Sequence, residues 1–133
     1  MKAKSIKGKS AEEIHSALAE SISDGFMPTL AIVFLAIKQD RKLITDILND
    51  NAIQVFGATT AGEFIDGDIE EGSTIIMLLD MKREYFKISF YETGEQTTLE
   101  NAKLLGAKGK STFSNPAFII VSGWLSNDGE NSL

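Results

Sequence analysis

Eight consecutive apolar residues, Leu30-Ala31-Ile32-Val33-Phe34-Leu35-Ala36-Ile37, preceded by Pro28 and Thr29, constrain this chain more than any other stretch. The run is far shorter than the roughly 20 residues a membrane-spanning helix requires. Nearly unbroken hydrophobicity is what a strand covered on both faces needs, so residues 29–37 read as a central strand. Asp40 is then placed to cap a helix whose Leu43, Ile44, Ile47 and Leu48 form one apolar face, ending around Asn49-Asp50-Asn51. Residues 53–56 supply the next strand. Strand, helix, strand across 29–57 is a βαβ unit, with two parallel strands joined by a right-handed crossover.

Upstream, Ser10-Ala11-Glu12-Glu13 is a capping-box pattern that opens a helix over about 10–24, with Ile14, Leu18 and Ile22 on one stripe and Gly25 at its end. Downstream, residues 74–79 and 85–91 are β-rich runs around the polar turn Asp80-Met81-Lys82-Arg83-Glu84, and a hairpin is the simplest reading. Thr97-Thr98-Leu99-Glu100 repeats the capping pattern and opens a third helix with Leu99, Ala102 and Leu105 inward and Gly106 to Gly109 loosening its end. Residues 117–122 read as a further buried strand before a polar tail over 123–133. The expected architecture is α/β: one domain over 1–122, a mixed β-sheet of about five strands with a parallel βαβ unit and an antiparallel hairpin, flanked by about three helices.

Composition narrows the function classes. The 133 residues suffice for one α/β domain, and 43% hydrophobic with 24% charged residues is ordinary for a globular chain. With 19 acidic against 13 basic residues the net charge is -6, which repels a polyphosphate backbone, so no nucleic-acid partner is expected. No cysteine is present, which removes disulfides, thiolate nucleophiles and zinc or iron-sulfur sites of cysteine type. The N-terminus Met1-Lys2-Ala3-Lys4-Ser5-Ile6-Lys7 is basic without a following apolar core, so a cytoplasmic location and no membrane insertion are expected.

The candidate site is the segment Phe56-Gly57-Ala58-Thr59-Thr60-Ala61-Gly62-Glu63-Phe64, two glycines, two adjacent hydroxyls and one carboxylate at the carboxyl end of the second parallel strand. Ligands in open α/β sheets favour that edge. Glycine permits close backbone approach, threonine both donates and accepts, and Glu63 can face an ammonium, so Gly57, Thr59, Thr60, Gly62 and Glu63 form a ligand-binding set suited to an amino acid's charge pattern. Ser122 and Trp124 are further candidates for pocket lining. The bland alternative is that the glycines and threonines merely make a tight connection between sheet elements.

Pro28-Thr29-Leu30-Ala31-Ile32-Val33-Phe34, followed by the G-x-T-T-x-G-E block of residues 57–63 and by Glu71-Gly72-Ser73, resembles the N-terminal half of a FIST (F-box and intracellular signal transduction) domain across about residues 11–122. The resemblance implies an intracellular sensory module in signal transduction that binds small ligands such as amino acids and does not turn them over. It departs in length, since the family's usual second half and output domain have no counterpart here; residues 123–133 then read as the start of a missing C-terminal half. The partners implied are an amino-acid-like ligand, a signalling protein or that second half, and a second copy of the chain. A protein–protein interaction domain and a hydrolytic enzyme using Glu63 with Thr59 or Thr60 are the alternatives.

Other features carry less. His15 stands beside inward-facing Ile14 with no nucleophile in pattern, and reads as a helix-surface residue. Asp66, Asp68, Glu70 and Glu71 lack the spacing of an EF-hand loop and read as a solvated turn, so no metal or cofactor is expected. Gly106-Ala107-Lys108-Gly109-Lys110-Ser111 imitates a phosphate loop, but Leu104 stands where its first glycine belongs.

Overall fold

The computed structural model describes residues 1–60, 72–92 and 97–122, with the backbone course of 63–65 and 68–70. It divides into two units, Met1–Phe86 and Lys87–Leu133. The first contains β1 (Ala3–Gly8), α1 (Ala11–Ile22), β2 (Leu30–Ala36), α2 (Arg41–Asp50), β3 (Gln54–Thr60), β4 (Glu63–Ile65), β5 (Asp68–Glu70) and β6 (Thr74–Leu79), then a 3-10 turn at Arg83–Tyr85. The sheet order is β1-β6-β2-β3, with β2 and β3 parallel and β6 antiparallel to both its neighbours. β1, β2 and β3 therefore all run the same way. β4 and β5 form a separate antiparallel pair.

The expected βαβ unit is present, and β2 is interior to the sheet. Ile14 and Leu18 of α1 and Ile44 and Leu48 of α2 enter one core with Ile6, Ala31, Val33, Leu35, Ile76 and Leu78 of the sheet. Both helices thus cover the same face, as two crossovers of one hand moving in one direction require. The opposite face is less covered: Phe34 is 38% and Met77 45% exposed. The double coverage expected from the apolar run holds only in part, because the ends Leu30 and Ala36 are buried while the middle of that face is open.

Helix ends follow local chemistry. The Ser10 hydroxyl accepts from the Glu13 amide at 3.2 Å, and the Glu13 carboxylate reaches back one residue beyond the cap to accept from Lys9 N–H at 2.7 Å. At the far end of α1, which has no basic residue in its last turn, Lys4 of β1 donates from Nζ to the Ser21 carbonyl at 2.6 Å and to Asp24 Oδ2 at 2.9 Å. A cation supplied by the neighbouring strand thereby satisfies an orphan carbonyl and complements the dipole. The Lys4 ammonium, with help from the Phe26 amide, holds the Asp24 carboxyl below the ordinary carboxylate range. A depressed carboxyl contributes stability above its unfolded value, about 3.9, and loses it as pH falls through the lower folded value. Asp24→Asn is therefore expected to flatten the loss of urea resistance below about pH 4 relative to wild type; identical pH profiles would contradict the clasp.

α2 ends in a Schellman arrangement, Ala52 N–H donating to Asn49 O at 2.8 Å and Ile53 N–H to Leu48 O at 3.0 Å. The residue that must turn left-handed is Ala52, at φ 58°. An L-residue there costs about 1–2 kcal/mol, and glycine gives back part of that through its freer unfolded chain. Ala52→Gly is expected to gain about 0.5 kcal/mol, seen as a higher urea midpoint at unchanged slope; a lower midpoint would contradict it.

Three expectations are corrected. Residues 3–8, within the basic N-terminal stretch where the sequence pattern predicts no element, form β1, which pairs along the whole of β6. The hairpin of 74–79 with 85–91 does not form, for both edges of β6 are already filled by β1 and β2. Residues 117–122 are no strand: Phe118, Ile119, Ile120 and Val121 are 45%, 65%, 65% and 44% exposed, and among the described residues the mixed sheet has four strands, not about five.

In the second unit α3 (Thr98–Thr112) starts with the complete capping box, Thr97 and Glu100 each bonding the other's amide. The Thr97 amide and then the Thr97 hydroxyl, both bonded to the Glu100 carboxylate, hold that carboxyl's pKa below its ordinary value. The helix continues through Gly106 and Gly109, and buries none of Leu99, Ala102 or Leu105. Gly109 lacks a side chain where the Phe118 ring lies, an added Cβ falling 2.3 Å from Phe118 Cζ.

Candidate functional site at the carboxyl edge of β2 and β3

Because β1, β2 and β3 are parallel, their carboxyl ends, the Lys9-Ser10 and 37–40 connections, and the N-termini of α1 and α2 gather at one edge. An open cleft of about 590 Å³ lies there, lined by Ile37, Gln39, Asp40, Arg41, Lys42 and Thr59.

The sequence set is redistributed by one fact: β3 does not stop at Phe56 but runs to Thr60. Gly57, Thr59 and Thr60 are strand residues and not a bend. Successive side chains in a strand point to opposite faces. Thr59 sits beside Leu35, on the helix side with Val55, and lines the cleft; Thr60 sits beside Ala36 on the other face. The two hydroxyls therefore do not converge. Gly57 sits beside Val33, where an added Cβ would lie 1.9 Å from the Val33 carbonyl oxygen, so its bareness serves the approach of two strands. Of Glu63 only the backbone course in β4 is given, and Gly62 and Trp124 lie outside the described residues. Ser122 is exposed and belongs to the second unit. His15 is exposed on α1. No group of three acidic or histidine side chains that could hold a metal ion is found among the described residues.

Gln39, Asp40, Arg41 and Lys42 were not singled out as site residues by sequence. The Asp40 carboxylate accepts from Leu43 N–H at 3.1 Å and caps α2. Arg41 and Lys42 occupy the first turn, where cations oppose the helix dipole, and no acidic residue stands in that turn. Lys42 is bonded to Asp46 one turn on, whose carboxylate raises the lysine's pKa. Arg41 is exposed. The signal that could have found them is this breach of a local rule next to a strand terminus.

The first unit is thus a two-layer α/β unit with a polar cleft at its parallel-strand edge. No family model matches the chain, and no curated protein and no solved structure matches it. Among the described residues no helix is long and apolar enough to cross a membrane.

Proposed function

We propose that the chain is a cytoplasmic sensory module of FIST type, and that the cleft at the carboxyl edge of β2 and β3 takes a small amino-acid-like ligand. The observation that carries this reading is the lining itself: Arg41 and Lys42 can meet a ligand acid, while Asp40 and the Thr59 hydroxyl can meet its amine. Glu63, two residues beyond Ala61 in sequence, remains a candidate second acid, and occupancy would bias the packing of a signalling partner. Screening amino acids by thermal shift tests it. A ligand at a hundredfold excess over its Kd adds about 2.7 kcal/mol, or roughly 5–10 °C for a domain of this size, and Arg41→Ala is expected to remove the rise. A flat panel would contradict it.

A second reading, an interaction domain that associates with a partner or another copy, draws on Phe90 at 85% exposure together with the exposed run 118–121. Light scattering of the purified chain separates it from the first.

A further inference from the structure

The side chain of Gln39 both lines the cleft and ties the edge together. Its Nε2 donates to Lys9 O at 2.8 Å and to Gly72 O at 2.7 Å. A primary amide nitrogen has two protons, and each goes to a different carbonyl. The amide cannot be reversed, because Oε1 would then face two carbonyl oxygens. Of this amide, Oε1, an acceptor only, is the atom that those two bonds leave unused.

The two carbonyls belong to different connections. Lys9 lies between β1 and α1, its own N–H held by Glu13. Gly72, at φ 78°, leads into Ser73, whose carbonyl accepts from Ala36 N–H at 3.0 Å just past the end of β2's pairing with β6. One side chain from the β2–α2 connection thus fixes the approaches to α1 and to β6. Hydrogen bonds in series polarise one another, so a donor placed on Oε1 strengthens the two bonds made by Nε2.

We propose that Gln39 is the positioning residue that reads the cleft: it selects ligands carrying an N–H donor, an ammonium or an amide, and passes their presence to the Lys9 and Gly72 connections. This rests on the cleft being the ligand site. The coupling needs no movement of helices; it needs only that occupancy and the two carbonyl bonds share one amide group.

The test is an amide-resolved NMR titration of the full chain with methylammonium, with glycine, and with acetate, which has no N–H. The reporters are the Gln39 side-chain NH2 and the backbone amides of Ser10 and Ser73, the peptide nitrogens attached to the two accepting carbonyls. Methylammonium and glycine are expected to move all three reporters, and acetate none. In Gln39→Glu, which keeps an acceptor and loses both donors, methylammonium is expected still to shift the Arg41 and Thr59 amides while Ser10 and Ser73 fall silent. Acetate moving Gln39 where methylammonium does not, or Ser10 and Ser73 responding equally in Gln39→Glu, would overturn the proposal while leaving the ligand site standing. Silence of Gln39, Arg41 and Thr59 toward all three probes would overturn the ligand site and this inference with it.

Discussion

Gly57→Ala is expected to be the most damaging single-methyl change in the first unit. The added carbon would lie 1.9 Å from the Val33 carbonyl oxygen, 2.7 Å from its carbonyl carbon and 2.9 Å from its nitrogen. All three are backbone atoms of the interior strand β2, so no side chain can rotate aside; β3 must move off β2 along their shared ladder. Overpacking of this kind costs typically 1–3 kcal/mol and more where backbone must shift. Against a total stability on the order of 5–15 kcal/mol, a loss of about 3 kcal/mol or more is expected. Urea unfolding followed by circular dichroism checks it without any ligand. A midpoint equal to wild type would mean that β3 does not approach β2 so closely and that the glycine is free to serve a ligand instead.

Leu48→Ala is the second large effect. Leu48 is fully buried, between α2 and the sheet, in the same core as Ile44 and Ile53. Truncating such a leucine costs about 2–5 kcal/mol, the transfer of the lost carbons plus the cavity left behind. Leu43 on the same helix provides the control. It is 50% exposed, and its truncation is expected to stay within about 0.5 kcal/mol. Equal losses for the two variants would show that α2 is rotated relative to its described setting.

That contrast also marks how far pattern reading reached. The sequence places Leu43, Ile44, Ile47 and Leu48 on one face, yet a stripe that wide exceeds what the sheet can cover, and its edge at Leu43 is left in solvent. The central strand and the caps at Ser10, Asp40 and Thr97 were legible because each depends on side chains within three or four residues. β1 was not, since Lys-Ser-Ile-Lys carries one core residue, Ile6, and becomes a strand only by pairing with β6, about 70 residues away in sequence. The hairpin after β6 failed for the converse reason: local alternation of Phe86, Ile88 and Phe90 speaks for a strand, but no edge of β6 remains to receive one.

The edge that carries the cleft was legible from strand order, and the setting of its residues was not. Placing it at the carboxyl end of the parallel strands needs only the βαβ order, and the cleft lies at that edge. What could not be read is where β3 ends. Threonine is at home in strands, and four further residues of pairing carry the Gly57 to Thr60 segment into the sheet, parting Thr59 from Thr60. Gln39 escaped notice because its importance lies in two carbonyls about 30 residues away on either side.

The opposed faces of Thr59 and Thr60 supply the most direct test of the whole account. Titration calorimetry would compare wild type, Thr59→Val and Thr60→Val, using the amino acid that most raises the melting temperature. Loss of one hydrogen bond to a charged group, about 1.5 kcal/mol, is expected to weaken binding roughly tenfold in Thr59→Val, with Thr60→Val unchanged. Equal weakening in both variants, weakening confined to Thr60→Val, or no heat from any amino acid would contradict a ligand site on the helix side of β3.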